Sequence, residues 1–152
     1  MKFQFRYVVL LTLLAGSGPA LTYGQSDVEQ IKAVIARETS SYMNVDYKSW
    51  AATWLQVPYA FWAYSDNETS RVLESWNTMN QSFADYFKNS KPSLGEITND
   101  WIEIRVYETG AFVRFNQKVV DDFDTQVTSQ VRVLEKKDGA WKIVCMKAAA
   151  KN

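Results

Sequence analysis

Residues 97–148 read ITNDWIEIRVYETGAFVRFNQKVVDDFDTQVTSQVRVLEKKDGAWKIVCMKA, and their alternation decides the architecture. Apolar and polar residues alternate with period two through Ile97–Glu108, Ala111–Asp121, Thr125–Lys136 and Trp141–Ala148. That is the pattern of four β-strands in a row, each with one buried face. Thr109-Gly110, an Asp-rich segment and Lys137-Asp138-Gly139 supply the turns between them. Helical patterns precede the strands, so the chain is α+β, with N-terminal helices packed on one face of a strongly curved antiparallel sheet.

The upstream elements follow from spacing and caps. Ser26-Asp27-Val28-Glu29 fits a capping box, and Val28, Ile31, Val34, Ile35 and Tyr42 recur at helical spacing, which predicts a helix over 27–43. Asp46 can cap a second, short helix carrying Trp50, Ala51, Trp54 and Leu55, and Pro58 ends it. Residues 59–64 read as a short strand and Ser65–Thr69 as a turn. Val72, Leu73, Trp76, Met79, Phe83, Tyr86 and Phe87 then predict a long helix from Ser70 to Lys88.

A two-residue Thr109-Gly110 loop pairs Val106 with Val113 and Ile104 with Phe115. Continuing across the sheet pairs Val113 with Val133 and Phe115 with Val131, then Val133 with Ile143 and Val131 with Cys145. One face becomes Ile102, Ile104, Val106, Val113, Phe115, Val131, Val133, Trp141, Ile143 and Cys145. Beyond it, Gln117, Ser129 and Lys147 line up as polar residues on the same side, where a pocket mouth is expected. Tyr42, Trp54, Trp62, Tyr64 and Trp76 are the candidate aromatic walls. The other face carries Trp101, Arg105, Tyr107, Arg114 and Arg132, a composition suited to a sheet-to-sheet homodimer. The alternative is an ordinary wet face with snorkelling side chains.

Composition narrows the chemistry. Lys2 and Arg6 precede an apolar run, Tyr7–Ala15, and small residues follow, which reads as a secretory signal over residues 1–24. The run is too short to span a bilayer. Cleavage after Gly24, with Ala20 as a second option, leaves one domain over 25–152. The expected location is periplasmic or secreted. Removing Lys2 and Arg6 leaves 15 basic against 17 acidic residues, a formal charge of −2. Such a surface has no electrostatic footprint for nucleic acid and no polybasic attraction to lipid. The chain has one cysteine, Cys145, and no histidine. An intrachain disulfide, a Ser-His-Asp triad, a Cys-His pair and a His-based zinc site are therefore excluded. No phosphate-binding or dinucleotide motif occurs either, so neither metal nor cofactor is expected.

Helix, short helix, strand, long helix and a four-strand meander closing on Lys137-Asp138-Gly139-Ala140-Trp141-Lys142-Ile143-Val144 resembles the nuclear transport factor 2-like superfamily. Within it the chain is most similar to the SnoaL-like and ketosteroid-isomerase-like branch. The resemblance implies a cone-shaped, cystatin-like fold in which the sheet wraps the long helix and leaves a pocket at the open end. Members include isomerases, dehydratases, cyclases and pure binding modules, so fold leaves function open. The chain departs from many relatives in two places. Leu55-Gln56-Val57-Pro58-Tyr59 holds no acid, and no histidine stands near Cys145 on the last strand.

The departures favour a non-catalytic, exported, dimeric domain that binds a small apolar or aromatic molecule. A second reading is an isomerase or dehydratase that uses Asp66, Asp100 or tyrosines as acid and base. A third is a protein–protein module acting through the Trp101, Tyr107 and Arg114 face. No catalytic residue is assigned by motif.

Overall fold

The computed structural model describes residues 23–93, 95–121 and 124–151, with side chains from Asp27 onward. Residues 1–22 of the signal expected over 1–24, its apolar run included, lie outside the described residues. The elements run α1 (Tyr23–Met43), α2 (Tyr47–Thr53), β1 (Phe61–Ser65), β2 (Ser70–Glu74), α3 (Trp76–Asn89), β3 (Glu96–Val106), β4 (Gly110–Val120), β5 (Thr125–Lys137) and β6 (Ala140–Ala150). Six strands form one sheet in the order β2-β1-β6-β5-β4-β3. All neighbours are antiparallel except β1 and β6, which run parallel. The helices pack on the concave face, giving the expected α+β architecture. No helix among the described residues is long and apolar enough to cross a membrane.

Helix α1 buries Ile31 and Ile35 completely. It begins at Tyr23, so Ser26 sits inside it rather than capping it. Gly24 costs a helix only about 1 kcal/mol, too little to stop one that is anchored by packing. Asp27 supplies an anchor: its Oδ1 accepts from Lys136 Nζ at 2.7 Å and Trp141 Nε1 at 2.9 Å. Those two bonds, from Lys136 first, hold the Asp27 carboxyl below the usual range. Asp46 caps α2 as read, accepting from Ser49 N at 3.0 Å.

The expected long helix from Ser70 is corrected at its start. Ser70–Glu74 is strand β2, paired with β1 through a turn in which Asp66 Oδ1 accepts from the backbone N–H of Glu68 and Thr69. Alternation decides the matter: Leu73 is buried and Val72 exposed. Ser75, at a φ of 77°, then breaks the strand and caps α3, its Oγ accepting from Thr78 N at 3.2 Å.

The strands meet in a different register from the one expected. The β3–β4 connection is Tyr107–Thr109, so Val106 faces Ala111 and Ile104 faces Val113. A bulge at Ile102 turns that residue outward, 51 % exposed, and brings Trp101 inward against Phe115, ring centroids 5.0 Å apart. The β4–β5 turn spans 121–124, with Asp121 N–H donating to Asp124 O and Asp124 N–H to Asp121 Oδ1. It is one residue longer than the expected register requires. Phe115 therefore faces Gln130, and Val113 faces Arg132. A one-residue slip reverses every side chain of a strand. Thr128, Gln130, Arg132 and Leu134 point inward, while Val131 and Val133 point outward. A second bulge, at Val144, keeps Trp141 and Ile143 inside but sends Cys145 and Lys147 to the outer face. The expected Lys137-Asp138-Gly139 turn between β5 and β6 is one residue shorter: Lys137 pairs with Ala140, leaving a two-residue Asp138-Gly139 loop with both residues at positive φ.

The core lies between the sheet and the helices. Trp50 stacks on Trp76 at 5.5 Å and meets Phe83 edge-on at 5.4 Å, above Val113, Phe115, Leu134 and Ile143. Trp141 closes the narrow end, 2 % exposed. Trp141→Ala is expected to lower unfolding stability by about 3–5 kcal/mol, as deletion of a buried Trp does. Urea titration checks this, and an unchanged midpoint would contradict the placement.

Candidate ligand cavity

A cavity of about 450 Å³ opens between α1, α3 and the concave face of the sheet. Its floor is polar and comes from three elements. Helix α1 gives Glu38 and Thr39, β4 gives Gln117, and β5 gives Thr128, Gln130 and Arg132. Its walls are aromatic: Tyr42, Trp50, Trp62, Phe83 and Tyr86. Tyr42 and Tyr86 stack with centroids 4.2 Å apart, and Trp62 meets Phe83 edge-on at 5.2 Å. Tyr64, Arg71, Asp121 and Gln126 stand at the mouth.

The floor is a connected polar network sealed from solvent. Glu38 is 4 % exposed and Arg132 1 %, and Arg132 Nη2 lies 3.4 Å from Glu38 Oε2. Trp50 Nε1 donates to Glu38 Oε1 at 3.2 Å, so both carboxylate oxygens are engaged. Arg132 Nη1 donates to Val131 O, and the guanidinium lies 5.5 Å from the centroid of the Phe115 ring. Burial pulls the Arg132 guanidinium down from its usual range, and the Glu38 charge opposes that shift. Beside the pair runs an amide chain. Gln117 Nε2 donates to Asn99 Oδ1 at 3.0 Å and to Thr39 Oγ1 at 3.1 Å, and Gln130 Nε2 donates to Gln117 Oε1 at 2.9 Å and to Thr128 Oγ1 at 2.7 Å. Two buried cavity atoms have no hydrogen-bond partner in the protein: Gln130 Oε1 and Arg132 Nε.

Among the residues expected to line a pocket, Tyr42, Trp62, Tyr64 and Gln117 meet at this cavity. Trp54 and Trp76 do not; they fill the core beneath it. Ser129 and Lys147 are exposed on the outer face, displaced by the β5 slip and the β6 bulge. The acid–base candidates also lie elsewhere. The Asp66 carboxyl is held below its usual range by the backbone N–H groups of Glu68 and Thr69 in its turn. Asp100 pairs with outward-facing Asn116 on the far side of the sheet. Of the proposed dimer face, Arg105, Tyr107 and Arg114 are exposed, with Tyr107 at 59 %, and both arginines reach Glu103. Arg132 and Trp101 belong to the inner face instead.

Sequence reasoning missed Glu38, Thr39, Thr128, Gln130 and Arg132 as cavity residues. A signal was present at Glu38, which interrupts the apolar stripe Ile31, Ile35, Tyr42 of α1 at the spacing of a core position. A charge there calls for a buried partner. Among the described residues, no group of three or more metal-ligating side chains comes together.

No protein-family model matches the chain, and no curated protein is similar to it in sequence. Solved structures are similar in fold. A nuclear transport factor 2-like protein of unknown function from Shewanella oneidensis is 21 % identical with a TM-score of 0.62, over 81 % of this chain and 98 % of that one. A cystatin-like protein of unknown function from Nostoc punctiforme gives 15 % and 0.64, over 83 % and 92 % of the two chains. The fold is nuclear transport factor 2-like. A third structure of this fold, from Streptomyces avermitilis, carries a name proposing a dehydratase; it is 18 % identical with a TM-score of 0.65, over 84 % and 97 %. The nuclear transport factor 2-like cone accounts for the cavity's position at the open end of the sheet.

Two predictions follow from the cavity's electrostatics. Glu38→Leu leaves Arg132 buried without its counter-charge and is expected to cost about 3–5 kcal/mol in a urea titration, whereas Glu38→Leu combined with Arg132→Met recovers most of the loss. A cost of Glu38→Leu under about 1 kcal/mol would show that water reaches the pair. Burial first, then Tyr86 and Glu38, push the Tyr42 phenol up to about 12. A raised folded-state pKa contributes stability that is present below the unfolded value of about 10 and lost as pH climbs toward 12. Tyr42→Phe is therefore expected to flatten the alkaline fall in stability across that window, measured by thermal melts; an identical fall would assign it to other groups.

Proposed function

We propose that this protein binds a small, planar, largely apolar molecule in the cone cavity, and does so without catalysis. The single observation that carries the reading is the cavity itself: aromatic rings from α1, α2, β1 and α3 enclose a volume of about 450 Å³ over a polar floor. An apolar chamber with a few convergent polar groups is the usual form of a small-molecule site. The state of the floor carboxylate favours binding over proton transfer. Among the described residues two carboxylates line the cavity: Asp121 stands at its mouth, and Glu38, at its floor, is tied through both oxygens to Trp50 and Arg132. A general base needs a lone pair free to reach substrate. The leader over residues 1–24 supports a site of action outside the cytoplasm.

Naphthalene is the minimal probe, being planar, apolar and unreactive. Calorimetric titration is expected to show one site per chain. Ala148→Phe, which places a ring in the cavity from β6, is expected to weaken that binding at least tenfold. Absence of naphthalene binding, or equal binding by the variant, would overturn the assignment to this cavity.

A further inference from the structure

The cavity holds two cations, and only the deeper one has a counter-charge. Arg132 on the floor meets Glu38. Arg71 at the mouth enters no ion pair among the described residues. It stands on β2 directly opposite Tyr64 of β1, which sends both side chains to the concave face. Its guanidinium carbon lies 5.9 Å from the centroid of the Phe83 ring, within cation–π range, and Phe83 is 5 % exposed. A guanidinium held over a ring keeps its in-plane N–H groups free at its edge. The carboxylates nearest the mouth bond elsewhere: Asp66 Oδ1 accepts from the N–H groups of Glu68 and Thr69, and Asp121 Oδ1 from that of Asp124. Tyr42 reaches the same ring from α1, meeting Phe83 edge-on at 5.8 Å. Its hydroxyl has no hydrogen-bond partner among the described residues. Nor is it closed off, since the sealed unpartnered atoms are Trp54 Nε1, Asn116 Oδ1, Gln130 Oε1 and Arg132 Nε. Burial, then Tyr86 and Glu38, push the phenol up to about 12, while the Arg71 charge pulls the other way. The hydroxyl is therefore a protonated donor within reach of the Arg71 charge.

We infer that the ligand is a planar aromatic acid whose carboxylate sits at the cavity mouth, held by the in-plane N–H groups of Arg71 and by the Tyr42 hydroxyl, with its rings turned inward among the aromatic walls. The inference rests on the reading of the cavity as a binding site and deepens it by naming the ligand class. A carboxylate matches a guanidinium fork with two parallel hydrogen bonds, which are stronger than bonds between neutral groups. At the mouth it also stays beside water, so its charge is not fully desolvated. Turned the other way, the acid would meet the Glu38 carboxylate on the floor. A neutral head group leaves the Arg71 charge unmatched, and a cationic one repels it.

Four probes test this by calorimetry: naphthalene, 2-naphthoate, the neutral 2-naphthamide and the cationic 2-naphthylmethylammonium. 2-Naphthoate is expected to bind at least tenfold more tightly than naphthalene and than 2-naphthamide, which has the same shape without the charge. Arg71→Met is expected to shrink the margin of 2-naphthoate over 2-naphthamide to less than threefold while naphthalene affinity and the thermal midpoint hold, because Arg71 is an exposed residue on an edge strand. Equal affinity of 2-naphthoate and 2-naphthamide for the unaltered protein would overturn the inference and leave the cavity reading standing. So would a margin that survives Arg71→Met. Tightest binding by the ammonium probe would overturn it in favour of Asp121 as the charge that the mouth offers. Failure of all four probes to bind would remove the cavity reading and this inference together.

Discussion

Glu38 and Arg132 form a sealed ion pair that ties the first helix to the fifth strand, and the shape of the cavity depends on it. Neither charge tolerates that depth alone, so α1 must lie where its carboxylate reaches β5. The seat is shared. Trp50 reaches Glu38 from α2, Phe115 lies under the guanidinium from β4, and Thr39 joins the amide chain that runs to Gln117 and Gln130. With the polar floor fixed in this way, the rings of α3 and β1 rise around it as walls. A hydrophobic pair in the same place would hold helix and strand together as well or better. What the charged pair adds is a fixed orientation for the donors and acceptors at the bottom of the cone.

Much of the architecture was legible in the chain. The four long strands, a turn at Asp138-Gly139 to within one residue, the cap of α2 by Asp46 and the aromatic character of the cavity all follow from local patterns. What was not legible was the facing of β5. Thr128-Ser129-Gln130-Val131-Arg132-Val133 presents an apolar set and a polar set with equal clarity, and hydrophobic patterning assigns the valines to the core. The structure does the reverse. The length of the Asp121–Asp124 turn selects the register, and buried partners from α1 and β4 satisfy the polar set. The same inversion turned Ser129 to the outer face and Arg132 into the cavity floor. Pattern rules fail most readily where polar groups converge inside, and such places tend to be functional.

The two bulges were illegible for a related reason. At both places the only mark is a break in alternation, Trp101-Ile102 and Ile143-Val144 being adjacent apolar residues, and that break does not say which of the two is the extra one. Their effect is geometric. Each bends its strand and switches which parity faces inward. At Ile102 the switch recruits Trp101 to cover Phe115; at Val144 it gives β6 Trp141 and Ile143 for the core and Met146 and Ala148 for the cavity wall. Two single-residue insertions thus divide the sheet into a packed half and a hollow half.

The clamp at Asp27 has a consequence for how the chain is made. Asp27 bonds Lys136 and Trp141 at separations of 109 and 114 residues, and Glu38 meets Arg132 at a separation of 94. A ribosome producing this chain releases α1 long before the β5–β6 hairpin. Until that hairpin emerges, the helix has neither its counter-charge nor its capping tryptophan. Closure of such distant contacts is slow because loop entropy comes before any gain from packing. The first helix therefore reaches its final seat only once the β5–β6 hairpin has emerged, because Glu38 waits for Arg132 94 residues further on.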